Sequence, residues 1–226
     1  MAKLKSTLPN MLLSLTIICG GAGAILAGVN DYTTAPIAAA KAAALETAIK
    51  EVTPPFDNNP TKESYKAATA EGDSLLIYPA KKDGKLIGVA VESNTQKGFS
   101  GEIKVIVGFD ADGKLFNYSV LQHAETPGLG SKMQEWFRMN KNKQRVLGRS
   151  LSDGNLQVSK DGGDVDAITA ATISSRAFLD AVNRAYSAYA GTKEWDGASG
   201  ATTDPANQEE ISQTETETVK EGGDHE

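Results

Sequence analysis

One short polar stretch carries residue types that can hold a phosphate at the start of a helix. It reads Asp166, Ala167, Ile168, Thr169, Ala170, Ala171 and Thr172. A helical pattern begins directly after Thr172, and the first turn of a helix offers free backbone N–H groups and the positive end of the dipole to an anion. Ser174 and Ser175 add hydroxyl donors. The residues alone leave open the alternative that Thr172 only caps the helix.

A second stretch suits close contact between backbone and a flat ligand. It reads His123, Ala124, Glu125, Thr126, Pro127, Gly128, Leu129 and Gly130. The proline fixes one backbone angle, and the two glycines let the backbone pass close to a ring. His123 and Glu125 are types used in acid–base work, and equally types that fix a loop by hydrogen bonds. We assign no catalytic acid or base, and a tight strand-to-helix turn remains the alternative.

Both stretches are set in a predicted α+β domain with a mainly antiparallel sheet and flanking helices. Four strands are predicted at 74–80, 86–92, 103–109 and 115–122. Asp83-Gly84 separates the first two, and Asp110-Ala111-Asp112-Gly113 separates the last two, as in β-hairpins. Apolar Val105, Val107 and Phe109 alternate along the third strand, which gives the sheet a clearly apolar face.

Helices are predicted on both sides of this run of strands. Helical spacing of apolar residues covers 35–52, where Pro54 and Pro55 end it, and covers 173–189. Ser131 is expected to cap a short helix that extends to Phe137. From 191 to 226 the sequence is acidic and polar with almost no large apolar residue, so this tail is predicted to be disordered.

The N-terminal part has the composition of a membrane anchor. Residues 8–29 contain no charge, and about 20 apolar residues span a hydrocarbon core. Lys3 and Lys5 precede this run, which predicts a cytoplasmic N-terminus (1–7) and an extracytoplasmic remainder. A helical linker (30–60) and a domain (61–190) follow. A cleavable signal peptide ending near Ala24, or a lipid-bearing Cys19, are the alternatives.

Charge and cysteine content exclude several classes of function. The net charge of -6 argues against nucleic-acid binding, which needs a basic face. The single cysteine, Cys19, permits no intrachain disulfide and no cysteine-ligated iron–sulfur cluster. His123 and His225 lie far apart in the sequence, so no metal site is predicted. Redox chemistry would therefore need a bound organic cofactor or a partner.

Together, the two stretches resemble the FMN-binding subunits RnfG and NqrC of the Rnf and Na⁺-translocating NADH:quinone reductase complexes. Asp166, Thr169 and Thr172 match that family's Asp-x-x-(Ser/Thr)-Gly-Ala-Thr pattern, and 125–130 match its Glu-Thr-Pro-Gly-Leu-Gly loop. The segment Gly98-Phe99-Ser100-Gly101 also looks like the family. The resemblance covers roughly residues 8–190, and Thr33 to Ile37 favours the RnfG branch.

The resemblance implies a cofactor, partners and a location. FMN would be joined by a phosphoester to Thr172, installed by a flavin transferase. The subunit would carry electrons within the membrane-bound Rnf complex, a translocase of the ferredoxin:NAD type that moves Na⁺ or H⁺, beside other Rnf subunits in the bacterial inner membrane. An NqrC-type role, a non-redox envelope scaffold and a stand-alone flavin reductase are the alternatives.

Ala170 departs from the family pattern, which has glycine there. If this position needs a positive φ, alanine costs about 1 kcal/mol. We expect the departure to slow flavin attachment without removing the acceptor hydroxyl.

Overall fold

The computed structural model describes residues 7–69, 71–152 and 154–191. The predicted acidic tail and most of the predicted cytoplasmic N-terminus lie outside these residues. In chain order the helices and strands are α1 (Leu8–Val52), β1 (Tyr65–Ala68), β2 (Ser74–Lys82), β3 (Lys85–Gly98), β4 (Gly101–Asp110), β5 (Leu115–His123), α2 (Met133–Trp136) and α3 (Thr172–Gly191). Two short 3-10 turns, Gly130–Lys132 and Ser159–Asp161, complete the described structure.

The five strands form one antiparallel meander in the order β1-β2-β3-β4-β5. This confirms the predicted α+β class and the four predicted strands. Asp83 and Gly84 both have positive φ, 50° and 76°, as a two-residue hairpin turn requires. At the next predicted turn the Asp110 side chain accepts a hydrogen bond from the Lys114 N–H at 2.9 Å. Strand β1 was not predicted, because its four residues carry no clear alternation.

The sheet is covered on both faces. Helix α3 packs on the face that carries Val105, Val107 and Phe109, and builds the main core. The last turns of α1 cover the opposite face through Ile49 and Val52. Only one apolar face was evident from the sequence, since a lysine and a glycine interrupt the other side of β4. Packing of α1 makes its end part of the folded domain.

Gly108 allows this second contact. A Cβ at this position would lie 1.6 Å from the Val52 carbonyl oxygen, so the helix backbone rests directly on the strand. The helix ends there because the Thr53 backbone is extended, and its N–H and hydroxyl both donate to the Ile49 carbonyl, at 3.2 and 2.7 Å. The end of the helix and the strand therefore pack in direct backbone contact.

Helix α1 is continuous, whereas the sequence indicated two helices at 8–29 and 35–52. The hydroxyls of Thr33 and Thr34 donate to the carbonyls of Val29 and Asn30, at 2.8 and 2.6 Å, and Pro36 lies inside the helix. The proline removes one backbone donor but its φ suits a helix. With 45 residues at 1.5 Å each, the helix is about 68 Å long. It is long and apolar enough to cross a membrane.

The region of Ser131 differs from the prediction of one capped helix over 131–137. Ser131 lies inside the 3-10 turn, and a four-residue α-helix follows it. Its hydroxyl accepts a hydrogen bond from the Gly128 N–H at 2.9 Å instead of capping a helix. The side chain therefore closes the glycine-containing loop on itself.

Candidate functional site

The two stretches singled out in the sequence meet at one cavity of about 330 Å³. The loop after β5 contributes one wall and the start of α3 the other. Eight of the expected residues line it: Glu125, Thr126, Leu129, Gly130, Ala170, Ala171, Thr172 and Ser174. Phe99 and Ile173 complete the lining. Ligand sites in proteins span roughly 300–1,000 Å³, so the cavity has the size of a small one.

A strained turn delivers the chain to helix α3. The Ala171 N–H donates to the Ile168 carbonyl at 3.0 Å, and Ala170 inside this turn has a φ of 61°. This left-handed conformation is the one that favours glycine over a residue with a Cβ. Position 170 therefore has the positive φ at which alanine is less stable than glycine.

Ser175 joins the turn to the helix. Its fully buried hydroxyl accepts from the Ile168 N–H at 2.9 Å and donates to the Ala171 carbonyl at 2.9 Å. The sequence suggested Ser175 as a donor to a phosphate, but both of these hydrogen bonds are made within the protein. Its contribution is to hold the turn in place.

Glu125 fastens the loop to its neighbours. Only 4 % of this residue is exposed, and its carboxylate accepts from the Ser100 N–H at 3.0 Å and from the Ser174 hydroxyl. Ser174 is therefore also engaged inside the protein. A Cβ on Gly130 would lie 2.6 Å from both side chains, so glycine is required beside this pair. The arrangement links the loop, the β3–β4 hairpin and helix α3.

His123 takes part in the same bracing. Its Nδ1 accepts from the Glu125 N–H at 3.2 Å, and its Nε2 lies 3.3 Å from the Gln134 amide nitrogen. Of the two roles left open by the sequence, these contacts favour fixing the loop over acid–base work. Within the described residues, no side chain accepts a hydrogen bond from the Thr172 hydroxyl.

The Thr172 hydroxyl stands half-buried at the first residue of α3. Lys160 Nζ donates to it at 3.3 Å. Lys160 belongs to the 3-10 turn Ser159–Asp161, and Arg176 holds this turn by two hydrogen bonds to Asp161, at 2.7 and 2.6 Å. The Arg176 guanidinium lowers the pKa of the Asp161 carboxyl below its usual range.

Four of the expected residues, besides Ser175, do not line the cavity. Asp166 accepts from the Lys143 N–H at 3.2 Å and the Ser159 hydroxyl at 3.1 Å, and its carbonyl accepts from the Trp136 indole at 2.9 Å. These contacts brace the segment of chain that precedes the turn. Thr169 is exposed in the turn, and Pro127 and Gly128 are exposed on the outer side of their loop. Gly128 has a φ of 76°, which glycine adopts without strain.

Three apolar side chains at the cavity are exposed. Phe99 is 67 % exposed at the tip of the β3–β4 hairpin, and Leu129 and Ile173 are 39 % and 48 % exposed. Exposed apolar groups gathered in a concave site mark a place where a ligand or partner binds. Phe99 and Ile173 were assigned no role from the sequence. The flanking Gly98 and Gly101 were the available signal for a tight hairpin that presents Phe99.

A larger groove of about 640 Å³ lies on the other side of Ile173. Its charged groups pair with one another, as Lys97 with Asp180 at 2.7 Å and Arg176 with Asp161. Neither sequence motif contributes its characteristic residues there. The smaller cavity, which both motifs line, is therefore the candidate functional site.

Comparison with known proteins defines the class of this domain. Residues 98–187 match the family described as FMN-binding domain. The match begins at the Phe99 hairpin and includes both motifs and most of α3. The protein is thus an FMN-binding protein, with FMN as its cofactor, as the resemblance implied.

Full-length relatives define the family more closely. The chain is 35 % identical over 181 residues to the G subunit of the ion-translocating oxidoreductase complex of Photorhabdus laumondii, covering 76 % of this chain and 85 % of the relative. The corresponding protein of Escherichia coli K12, which bears the same name, is 33 % identical over 187 residues, with 76 % and 86 % covered. That of Shewanella oneidensis is 40 % identical over 124 residues, with 53 % and 57 % covered. The chain belongs to this family of G subunits.

The residues present fit FMN. Phe99, Leu129 and Ile173 offer apolar surface to the ring system of a flavin, as organic cofactor sites generally do. The Thr172 hydroxyl and Lys160 offer polar groups to a phosphate at the edge of the same cavity. Gly130 keeps the floor of the cavity open, because a side chain there would meet Glu125 and Ser174.

Proposed function

We propose that this chain is an electron-transfer subunit of a membrane-bound, ion-translocating oxidoreductase of the Rnf type, and that FMN is attached by a phosphoester to Thr172. The observation that carries the proposal is the meeting of both motifs at one cavity with the Thr172 hydroxyl in its lining. The relatives that bear the name of such a complex support the rest.

Thr172 is the hydroxyl suited to attachment. Among the serine and threonine hydroxyls of the motif, those of Ser174 and Ser175 are buried and donate within the protein. Thr169 lies in the same turn but outside the cavity lining. Thr172 alone among these four combines partial exposure, a position in the cavity and a neighbouring cation at 3.3 Å. A negative charge added there also lies at the favourable end of α3.

Bound FMN supplies the redox chemistry, and the protein supplies attachment, orientation and the electrostatic surroundings. Glu125 holds the loop, the hairpin and α3 in fixed relation, so the walls of the cavity keep one geometry. Phe99, Leu129 and Ile173 offer apolar surface to the ring system of the flavin. Covalent attachment prevents loss of the cofactor on the outer side of the membrane.

The anchor part of the proposal rests on α1. Residues 8–29 span the membrane, and the positive residues before them place the domain outside the cytoplasm. Residues 30–44 then continue the helix for roughly 22 Å before it packs on the sheet. The helix thereby holds the FMN site at a defined distance from the lipid surface and beside the other subunits of the complex.

Mass spectrometry of the full-length protein tests the attachment. The protein is co-expressed with a flavin transferase, purified in detergent and digested to the peptide 161–176. The expected peptide carries the mass of FMN less one water, and its fragments locate the addition at Thr172. The Thr172→Val variant keeps the shape of the side chain without the hydroxyl and is expected to give only the unmodified peptide. Modification at another residue, or none in wild type, would refute the proposal.

A second measurement tests electron transfer. In membranes that contain the assembled complex, the flavin absorption of the wild-type subunit is expected to bleach when the electron donor is added. Membranes with Thr172→Val should lose both this bleaching and the coupled turnover. A colourless wild-type protein that still assembles would favour the scaffold alternative. Turnover with quinone as the acceptor would favour the NqrC-type alternative.

A further inference from the structure

Lys160 contacts Thr172 beside an ion pair between Asp161 and Arg176. Asp161 follows Lys160 in the 3-10 turn, and Arg176 lies one helical turn after Thr172 on α3. The guanidinium donates to both carboxylate oxygens of Asp161, at 2.7 and 2.6 Å. This two-point contact fixes the turn along the helix, so that Lys160 Nζ reaches Thr172 Oγ1 at 3.3 Å.

The chain around Lys160 is itself well fixed. Val158 is 1 % exposed, and the Ser159 N–H donates to the Val165 carbonyl at 2.8 Å. A Cβ on Gly163 would lie 2.1 Å from the Gln157 carbonyl oxygen, so two segments of backbone pack directly against each other. The backbone under Lys160 is therefore a closed loop, and its position does not depend on the exposed lysine.

The charges of this group are arranged for an anion at Thr172. Asp161 would repel a phosphate and attract Lys160, but Arg176 neutralises it by the bidentate contact. Within residues 7–69, 71–152 and 154–191, Lys160 is the cation whose side chain contacts the Thr172 hydroxyl. A hydrogen bond from an exposed ammonium to a neutral hydroxyl contributes little stability. A hydrogen bond from the same ammonium to a charged phosphate oxygen is stronger.

We propose that Lys160 is a phosphate-binding residue, which pairs with the phosphate esterified to Thr172, and that the Asp161–Arg176 pair is its positioning device. The proposal rests on the proposed attachment of FMN to Thr172. It assigns the ligand chemistry of Lys160 as a flavin phosphate diester. It also assigns the 159–161 turn to the cofactor site, although the turn lies outside both sequence motifs.

The test compares the amine reactivity of Lys160 in flavin-free and flavinylated full-length protein. Both forms are purified in detergent and labelled with trace acetic anhydride, and the acetylation of each lysine is measured by mass spectrometry. A lysine paired with a phosphate is less often deprotonated, so we expect Lys160 to react roughly three- to tenfold more slowly after flavinylation. Lys141, an exposed lysine without contact to Thr172, should keep its rate.

Two variants test the positioning device and the charge. Asp161→Asn weakens the contact with Arg176, so it should remove much of the protection of Lys160. Lys160→Gln should move the ³¹P resonance of the attached phosphate, whereas Lys141→Gln should leave it in place and Lys160→Arg should largely restore it. Lys160 is exposed, so these variants should fold normally.

The outcomes separate the two proposals. Wild-type protein without flavin on Thr172 would refute the proposed attachment and this inference together. Flavin on Thr172 with equal acetylation of Lys160 in both forms, or with an unmoved ³¹P resonance in Lys160→Gln, would overturn this inference alone.

Discussion

Replacement of Ala170 by glycine should stabilise the protein. Ala170 has a φ of 61°, and this conformation costs an L-residue with a Cβ roughly 1–2 kcal/mol. Glycine removes that strain but gains about 0.4–1 kcal/mol of freedom in the unfolded chain. The net effect should be a gain of about 0.5–1 kcal/mol in the free energy of unfolding. For a domain of this size, that corresponds to a rise of about 2–5 °C in Tm.

Thermal unfolding of the full-length protein in detergent, followed by circular dichroism, measures this change. Ala177→Gly is the matched control, because Ala177 is fully buried within α3 and glycine in a helix costs about 1 kcal/mol. The two variants should therefore shift Tm in opposite directions. A lower Tm for both would show that Ala170 is not strained in solution and would refute the reasoning. Faster flavin attachment to Ala170→Gly would further connect the strain with maturation.

Three further perturbations test other contacts. Glu125→Ala should lower the free energy of unfolding by roughly 1–3 kcal/mol, because it leaves the buried Ser174 hydroxyl without its acceptor and removes the part-buried hydrogen bond from the Ser100 N–H. A loss no larger than in Thr126→Ala, measured by urea titration, would contradict this. Gly108→Ala should force the end of α1 off the sheet, because the added Cβ would lie 1.6 Å from the Val52 carbonyl oxygen. A protease should then cleave the chain near Lys50, and full resistance to the protease would argue against this contact. Burial raises the pKa of Tyr118 above its usual value, so the stability that the protonated phenol contributes is complete below about pH 10 and declines above it. Tyr118→Phe should therefore reduce the loss of unfolding free energy measured across about pH 8–12, and an unchanged slope would contradict this.

Local signals in the sequence predicted the hairpin turns and the long helix after Thr172. Asp83-Gly84 was recognised as a hairpin because few residue pairs adopt two successive positive φ angles, and the structure has both. The long helix after Thr172 was recognised from its apolar stripe, which packs on the sheet as one core. The conformation of such features depends on residues adjacent in the chain, so it can be predicted from the sequence.

Features that depend on distant segments were not predicted. The second covered face of the sheet depends on the meeting of Val52 with Gly108, 56 residues later in the chain. The continuity of α1 between 29 and 35 was not predicted either, although the hydrogen bonds there, from the Thr33 and Thr34 hydroxyls to the Val29 and Asn30 carbonyls, are local.

The site shows the same division. Its two motifs were found as separate stretches, and only the fold shows that they share a cavity. Lys160 gave no signal, because its contact with Thr172 joins residues twelve positions apart and exists only in the folded chain. Ser174 and Ser175 were expected to donate to a phosphate, whereas their hydroxyls bond within the protein, because burial decides their partners and spacing in the sequence does not show burial.

In-gel flavin fluorescence after denaturing electrophoresis tests the central claim most directly. Wild type, Thr172→Ala and Thr126→Ala are each co-expressed with the flavin transferase, and Thr126 serves as a control hydroxyl from the same cavity. We expect fluorescent bands for wild type and Thr126→Ala and none for Thr172→Ala, with equal protein staining in all three. A fluorescent Thr172→Ala band would contradict attachment at this residue.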